Sequence, residues 1–438
     1  MNPGTYYAAS AGPAPGRAPL RGRVDAAVCV VGGGFAGLAT AMGLIERGAP
    51  DVVIVEAQAV GHGASGRNGG FVFGGYSLDN ADLLADQGSE RARAMYALTR
   101  QAVDTIRRRI ARHGIACDAV ESGVVLANWF DDDAILRERQ AFMAREFDVH
   151  WQYLSHDELG AYTRSRRYAG GLLEPDAFHF HPLKYARGLA AAIERGGGRI
   201  FENSPVARIV AHRPQGATDG ATASGGYDVH VRGPDGATGL VHARHVVVAG
   251  GGYLSGLSAP LERAMLPIAT YVMATEPLGA ALAACIPGQA AIYDTRFSFD
   301  YYRPLADTRI LWGGRISILD RPAGPIARLL KRDLCKVYPE LRDVKVDYAW
   351  GGLMSYARHQ MPQVGRLEDG TWHALGFGGH GVGPTTAAAA MIADAIAAGT
   401  PIPAGFADYG LPRVWGGAGM LAAQAKYNWF EFKDWLRE

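Results

Sequence analysis

The stretch that decides the fold is residues 25–37, DAAVCVVGGGFAG. Its first half is apolar and β-branched, as in a buried strand, and its second half fits Gly-x-Gly-x-x-Gly. Residues 38–47 have helical composition, and Gly48 is a natural helix end. A second strand over residues 51–55 leads to Glu56, nineteen residues past Gly37. This order of elements predicts the βαβ unit of a Rossmann-type dinucleotide-binding fold.

Each part of this motif has its own physical role. Gly32 allows a tight turn, Gly34 lets the backbone approach a pyrophosphate, and Gly37 lets the helix pack closely on the strand. The helix N-terminus offers free N–H groups to phosphates, and Glu56 can accept hydrogen bonds from ribose hydroxyls. The motif does not separate FAD from NAD, and a glycine-rich turn of an unrelated α/β protein is the alternative. The predicted contacts are Gly32, Gly34, Phe35, Ala36, Gly37, Glu56 and Ala57.

Length and composition bound the class of protein. The 438 residues exceed what one hydrophobic core usually organises, so we expect two connected domains. The net charge of +1 gives no field that would attract nucleic acid or an anionic membrane. Residues 26–45 carry no charge, but three glycines divide them into a strand and a helix, which argues against a membrane span.

The N-terminus and the cysteines indicate the compartment. Residues 1–23 lack the basic start and apolar core of a signal peptide, and their prolines predict an extended arm. The four cysteines have no metal or redox spacing, which fits a reducing cytoplasm. His179 and His181 could share a metal, but no third ligand lies nearby in the sequence, so we expect no metal site.

The loop over residues 61–70, GHGASGRNGG, is too long and too rich in glycine for a simple connection. Here the sequence resembles the flavin oxidoreductases of the D-amino-acid oxidase (DAO) type, in which this segment runs past the pyrophosphate and the flavin. Arg67 also has an electrostatic reason to lie near phosphates or a flavin anion. An ordinary surface loop is the alternative. The resemblance implies FAD contacts from Ala64, Ser65, Arg67, Asn68, Gly69 and Gly70.

Three later segments extend the resemblance. Residues 245–252 (HVVVAGGG) look like the second FAD-contacting strand of the family, and residues 204–207 (SPVA) resemble the stretch that meets the adenine. Residues 376–385 (GFGGHGVGPT) resemble the turn before a helix aimed at the flavin, where a helix N-terminus stabilises negative charge. Either of the first two could instead be another buried strand. The implied contacts are Val206, Ala249, Gly250, Gly251, Gly378, Gly379, His380, Gly381, Val382 and Gly383.

The segments TYYAAS (5–10), HFHPLKYARGLA (179–190), TYVMATEPLG (270–279), DTRFSFDYYRPL (294–305) and WGGR (312–315) narrow the resemblance to one branch of the family. They are similar to the gamma-glutamylputrescine oxidoreductases. This resemblance implies an FAD-dependent amine oxidase, with polyamine catabolism as its setting, that oxidises a C–N bond of an amine or an amino or imino acid by hydride transfer to flavin N5. O2 would then reoxidise the flavin to give H2O2.

The electron acceptor and the class of protein leave alternatives open. A dehydrogenase that uses a quinone or protein acceptor is the first alternative. A flavin monooxygenase driven by NAD(P)H and a flavoprotein without enzymatic activity are the others. The oligomeric state also stays open, with a homo-oligomer as one outcome.

Two departures from the related sarcosine-oxidase branch bear on the cofactor and the acceptor. That branch holds its flavin through a cysteine in the C-terminal third, whereas no cysteine follows Cys335 here, which implies non-covalent FAD. That branch also has one lysine after its Gly-His-Gly turn and an oxygen-activating lysine on the strand that matches residues 309–313. This chain has neither. An α-amino acid as substrate and O2 as acceptor both lose support.

The family fold and composition predict an interleaved α/β architecture with an α+β substrate domain. The FAD-binding pieces are 24–85, 168–258 and 350–403, and the substrate domain, an antiparallel sheet, covers 86–167 and 259–349. Residues 404–438 form a helical tail. Its apolar stripe is predicted to dock on protein and consists of Leu421, Ala425, Trp429, Phe432 and Leu436.

The substrate site is expected where aromatic and basic residues cluster. A segment of strand character could cage an amine, or could equally be one face of a packed sheet. Its members are Tyr293, Arg296, Tyr301, Tyr302 and Arg303. His359 falls where the chain should return to the flavin. His380 could be catalytic, a flavin neighbour or a residue of the turn. The candidate catalytic residues are therefore His380, Tyr302, Arg303 and His359.

Overall fold

The structure is a computed structural model that describes residues 4–212, 225–233 and 235–437. The first three residues of the predicted arm, residues 213–224 and 234 of the predicted FAD-binding domain, and the last residue of the tail lie outside the described residues.

Eighteen strands and twelve α-helices are described in this part of the chain. The strands are β1 (Gly22–Val31), β2 (Val52–Val55), β3 (Phe71–Val72), β4 (Val124–Ala127), β5 (Gln152–Leu154), β6 (Gly171–Glu174), β7 (Phe178–His179), β8 (Arg199–Phe201), β9 (Val206–Ala211), β10 (Tyr227–Arg232), β11 (Thr238–Val248), β12 (Met265–Thr275), β13 (Ala291–Asp294), β14 (Tyr301–Pro304), β15 (Ile310–Ser317), β16 (Val346–Ala357), β17 (Gln363–Arg366) and β18 (Trp372–Leu375). The helices are α1 (Tyr6–Ser10), α2 (Phe35–Glu46), α3 (Asn80–His113), α4 (Ala134–Phe147), α5 (His156–Leu159), α6 (Pro182–Arg195), α7 (Ala259–Arg263), α8 (Ala280–Cys285), α9 (Ala323–Val337), α10 (Val382–Ala398), α11 (Ala404–Ala407) and α12 (Gly416–Arg437).

The first sheet has a parallel core in the order β18-β11-β1-β2-β8. Strand β1 is buried on both faces, because alternate side chains enter two different cores: Val28 and Val30 on the side of α2, and Cys29 and Val31 on the other. Helix α2 connects β1 to the parallel neighbour β2. This is the predicted Rossmann-type unit.

The second sheet has the order β16-β12-β15-β14-β13-β4-β6-β5 and is antiparallel except for the pair β13–β4. Helix α9 buries its apolar face against this sheet through Ile326, Leu330 and Leu334. The mixed α/β fold with an α+β second unit is therefore as predicted. Strands β6 and β16 both belong to this second sheet, where β6 pairs with β4 and β5 and β16 pairs with β12. The predicted boundaries had placed all of β6 and most of β16 in the FAD-binding domain. The domain boundaries themselves stay a prediction.

The N-terminal arm is not extended throughout, so this prediction was wrong for residues 6–10. Helix α1 forms there because the Thr5 hydroxyl caps it, accepting a hydrogen bond from the Ala8 N–H at 3.0 Å. Burial of Tyr7 then holds the helix against the body. The Tyr7 hydroxyl donates to the carbonyl of Asn68 at 2.8 Å, which ties the arm to the glycine-rich loop.

The C-terminal helix α12 docks on the body with a face other than the predicted one. Four residues of the predicted stripe, Leu421, Trp429, Phe432 and Leu436, are between 45% and 65% exposed. The docked face instead satisfies polar groups of the second sheet. Tyr427 hydrogen-bonds Ser298, Asp434 accepts from the Ser298 N–H at 3.2 Å, and Glu431 pairs with Arg315. Among the described residues, no helix combines the length and the apolar character needed to cross a bilayer.

Candidate active site

A cavity of about 1250 Å³ lies where the carboxyl ends of the first sheet's parallel strands face the second sheet. Carboxyl ends of parallel strands are the usual place for ligands in such sheets. The volume exceeds the ~300–1000 Å³ of ordinary small-molecule sites. It therefore has room for a dinucleotide and a substrate together.

Almost all of the predicted cofactor residues line this cavity. They are Gly32, Gly34, Phe35, Ala36, Glu56, Ala57, Ala64, Ser65, Arg67, Asn68, Gly69, Gly70, Ala249, Gly250, Gly251, Gly378, Gly379, His380, Gly381, Val382 and Gly383. Gly37 lies behind the wall, where an added Cβ would come 1.9 Å from the Gly32 carbonyl oxygen, so it serves helix–strand packing. Val206 does not line the cavity: it begins β9, and its half-buried side chain packs against the apolar core of the first sheet, so a contact of its backbone with the adenine stays a prediction. A contact to FAD stays a prediction for the residues on the wall.

The turn between β1 and α2 suits a dinucleotide. Gly32 has φ +113°, and an added Cβ would meet the Ala249 carbonyl oxygen at 2.7 Å. Glu56 accepts from the Gly33 N–H at 2.6 Å, and burial raises the pKa of its carboxyl group. Gly34 is the N-cap of α2 and carries no side chain, while the first N–H of the helix, that of Phe35, donates to Ser65 Oγ at 2.8 Å, so that the helix N-terminus and the Ser65 hydroxyl lie together on the wall. These groups fit the adenosine diphosphate part of FAD.

The loop over residues 61–70 presents a guanidinium group to the cavity. Arg67 Nε donates to the His62 carbonyl at 2.8 Å, and its NH1 donates to the Gly351 carbonyl at 3.2 Å. Arg67 forms no ion pair within the described ranges. Asn68 shapes the loop, because its Oδ1 accepts from the Gly70 N–H at 2.8 Å. The charge of Arg67 is thus free to face an anionic ligand.

The turn over residues 376–383 holds His380 in place before α10. The His380 N–H donates to Ser77 Oγ at 3.1 Å, and Nε2 lies 3.3 Å from the Phe73 carbonyl oxygen. Burial lowers the pKa of His380 to about 4, so the ring is neutral at neutral pH. Since a carbonyl only accepts, the contact with Phe73 favours the form of the neutral ring in which Nε2 carries the proton. Helix α10 begins at Val382 without a side-chain cap and opens toward the cavity.

Tyr302 and Arg303 do not line the cavity, so the prediction that they are catalytic was wrong. Tyr302 is fully buried and stacks on Trp312 with ring centroids 4.5 Å apart. Arg303 lies behind the glycine-rich loop, where its Nε donates to the Gly69 carbonyl at 2.7 Å. Side chains alternate along β14, so Tyr301 faces the cavity and Tyr302 faces the core.

His359 also lies off the cavity wall, which corrects its predicted catalytic role. Its ring packs 4.9 Å from that of Tyr409, and its Nδ1 accepts from the Met361 N–H at 3.1 Å. The neighbouring residues Arg358 and Gln360 do reach the wall. His359 is therefore placed as a residue of the turn after β16.

Several charged residues on the cavity wall were not predicted from the sequence, among them Asp79, Arg139, Glu174 and Lys426. Glu174 ends β6, and Lys426 lies at the rim on α12. Neither has a sequence motif around it, because each reaches the cavity only through the way distant elements pack. Of the four predicted catalytic candidates, only His380 lines the cavity. Glu174 and Lys426 are further residues of the wall that could contact a substrate.

His179 and His181, for which no shared metal was expected, each hydrogen-bond a different group of the protein. His179 Nε2 lies 2.8 Å from the Gln289 carbonyl oxygen, and His181 Nε2 lies 3.0 Å from a serine hydroxyl. Outside the cavity, Asp228 hydrogen-bonds both His212 and His242 on the ribbon of β9, β10 and β11.

A family model described as FAD dependent oxidoreductase (DAO) matches residues 27–395. Gamma-glutamylputrescine oxidoreductase of Escherichia coli is 36% identical over 392 residues, which are 89% of this chain and 88% of that protein. A probable oxidoreductase of Haemophilus influenzae is 31% identical over 428 residues, which are 96% of this chain and 94% of that protein.

Solved structures show the same fold at low sequence identity. Glycine oxidase of Geobacillus kaustophilus matches with a TM-score of 0.69 and 20% identity, over 90% of this chain and 100% of that chain. L-proline dehydrogenase of P. horikoshii matches with a TM-score of 0.70 and 17% identity, over 90% of this chain and 97% of that chain.

Proposed function

This chain belongs to the DAO family of FAD-dependent oxidoreductases, and from that premise we propose that it oxidises a C–N bond of an amine or of an amino or imino acid. One observation carries the proposal. The βαβ turn, the loop over residues 61–70 and the turn over residues 376–383 line a single cavity, whose opposite wall is the second sheet. The similarity to gamma-glutamylputrescine oxidoreductase supports an amine as substrate.

The residues of this chain would divide the work along the cavity. FAD, when bound, supplies the acceptor for a hydride from the carbon next to nitrogen. Glu56 and the α2 N-terminus would bind the adenosine diphosphate end. Arg67 and the α10 N-terminus would stabilise negative charge at the other end. The second sheet would hold the substrate carbon in position and exclude water.

Non-covalent binding of FAD is part of the proposal. All four cysteines are free thiols, and none of them lines the cavity. Trichloroacetic acid should therefore release all of the yellow colour from the precipitated protein. The free thiols also support placing the protein in the cytoplasm.

O2 is the proposed electron acceptor, with a quinone or protein acceptor as the second candidate. One observation supports the second candidate: strand β15 (Ile310–Ser317) carries no lysine where the sarcosine-oxidase branch has its oxygen-activating one. Rapid air reoxidation of photoreduced enzyme would support the oxidase. Slow reoxidation in air with fast reduction of a soluble quinone would support the dehydrogenase.

Anaerobic bleaching of the flavin tests the reaction itself. We expect loss of the yellow absorbance with members of a panel of amines, polyamine conjugates and amino acids, and peroxide formation in air. A flavin that no member of the panel reduces would contradict the proposal. Reduction by NADPH alone would point instead to a monooxygenase.

A further inference from the structure

Glu174 is a carboxyl group on the cavity wall that the chemistry above does not use. It ends β6, opposite Val124 of β4, and a hydrogen bond from the Gly74 backbone reaches it. The positive charges of Arg139 and Arg100 favour the ionised form of Glu174 and so lower its pKa. Neither arginine forms an ion pair with it within 4 Å in the part of the chain that is described. The carboxyl group thus lines the cavity without a direct counter-ion.

Aromatic rings line the same part of the cavity. The rings of Phe73 and Tyr293 lie 5.7 Å apart, and both residues are on the wall together with Tyr96. Burial and then the charge of Glu174 raise the pKa of Tyr96. Burial also raises the pKa of Tyr293 to about 12, and the charge of Glu174 adds to this shift. The carboxyl group therefore lies within electrostatic reach of both phenol groups.

The remaining charges nearby favour a cation. We call the Glu174 compartment the part of the wall formed by Phe73, Asp79, Tyr96, Arg139, Glu174 and Tyr293. The wall there holds the carboxyl groups of Asp79 and Glu174 against the guanidinium group of Arg139, which packs 5.8 Å from the ring of Trp151. Arg100, which lies off the wall, pairs with Asp176 at 4.0 Å. A carboxylate beside aromatic rings attracts an ammonium group both as an ion pair and by cation–π contact.

We propose that the Glu174 compartment binds the amine nitrogen of the substrate in its protonated form, which must pass that proton to the Glu174 carboxylate or to water before the neighbouring carbon gives up a hydride. The substrate class is then an alkylamine recognised by its positive charge, and not an α-amino acid recognised by its carboxylate. The compartment adjoins the turn over residues 376–383, because the Phe73 ring lies 4.1 Å from the ring of His380. This inference rests on the proposed function, since it names the substrate class of the same cavity.

Binding of tert-butylammonium to the oxidised holoenzyme tests the proposal. This cation has no hydrogen on the carbon next to nitrogen, so it cannot be oxidised by hydride transfer. We expect binding at pH 8, measured by calorimetry and by the change in flavin absorbance. The neutral tert-butanol and the anionic pivalate should bind at least tenfold more weakly.

Glu174→Gln removes the charge and keeps the shape of the side chain, and should weaken tert-butylammonium binding at least tenfold while leaving tert-butanol unchanged. Glu368→Gln is the matched control, because it makes the same change at an exposed glutamate that lies off the cavity wall. Tyr293→Leu should weaken the cation by a smaller factor, and it provides a second variant if Glu174→Gln does not bind FAD.

The outcomes separate this inference from the proposed function. Equal binding of tert-butylammonium by the wild type and Glu174→Gln overturns the inference, even if amines reduce the flavin. Binding that depends on Glu174, together with a flavin that no amine reduces, overturns the proposed function and leaves the cation site standing. Pivalate binding as tightly as the cation also overturns the inference.

Discussion

The two ends of the cavity are built in different ways. The dinucleotide end is made largely of backbone from the βαβ unit of β1, α2 and β2, and glycines there let this unit approach the end of β11 closely. The Glu174 compartment is made of side chains from the loop after β3, from α3, α4, β6 and β13. Backbone geometry fixes a cofactor common to a whole family, whereas side chains from separate elements can change one at a time and so set the substrate.

The largest expected effect comes from breaking the dinucleotide end. Gly37→Ala would place a Cβ 1.9 Å from the Gly32 carbonyl oxygen, which neither backbone can avoid. We expect loss of bound FAD and a destabilisation of about 3 kcal/mol or more, measured by flavin content and thermal unfolding. Gly324→Ala is the control, since its nearest neighbour is the flexible end of Arg328 at 3.8 Å. Full flavin content in Gly37→Ala would contradict the prediction.

The second largest effect is a change with pH in the free energy of unfolding, caused by the ionisation of Glu174. Burial raises the pKa of Glu174 to about 7, from 4.5. The protonated form favours the fold, so its contribution is complete below pH 4.5 and is lost as the pH rises through 7. The neighbouring charges that act on it are Asp176, Arg139 and Arg100.

Between pH 5 and pH 8, the wild type should therefore lose stability relative to Glu174→Gln. We expect about 2 kcal/mol, because one pKa unit corresponds to ~1.4 kcal/mol and solvent at the wall screens part of it. Thermal unfolding of both proteins across this range measures the difference. A constant difference would show that Glu174 is ionised throughout.

Arg67 lies on the cavity wall and should tune the reduction potential of the cofactor. A guanidinium group beside an anionic reduced flavin stabilises it, so Arg67→Gln should lower the two-electron reduction potential. A loss of ~1.4 kcal/mol corresponds to about 30 mV. Spectroelectrochemical titration measures the shift. Arg358→Gln, on the wall but packed 5.1 Å from the ring of Trp415, should leave the potential unchanged.

The smallest effect is expected at Tyr302, which belongs to neither end. Tyr302→Phe removes a hydrogen bond from the Tyr338 hydroxyl at 3.2 Å in the core of the second sheet. We expect a destabilisation of about 1 kcal/mol and no change in kcat or KM. Tyr301→Phe is the comparison on the cavity side of the same strand. A large loss of kcat in Tyr302→Phe alone would restore its catalytic assignment.

The sequence predicts those parts of the molecule whose characteristic residues lie close together along the chain. Gly32, Gly34, Gly37 and Glu56 fall within one strand-turn-helix-strand unit, so their spacing alone indicates their roles. The phase of β14 could not be decided in this way. Tyr301 and Tyr302 are both aromatic, and only pairing with β15 shows which one faces the core.

The docking face of α12 and the place of Glu174 on the cavity wall could not be predicted from the sequence, because tertiary contacts decide both. Helical spacing identifies an apolar stripe on α12, but polar contacts of Tyr427 and Asp434 decide which face docks. Glu174 follows two leucines and precedes Pro175, a setting typical of any strand end. Its place beside Tyr96 and Tyr293 depends on tertiary contacts that no local pattern carries.

The hydrogen bonds that support the glycine-rich loop have a consequence for the speed of folding. Tyr7 reaches Asn68 across 61 residues, and Arg303 reaches Gly69 across 234. Contacts so far apart in the chain form slowly compared with a local turn. The loop should therefore reach its final shape late, and a fragment that contains the whole βαβ unit but ends before β14 should capture FAD poorly.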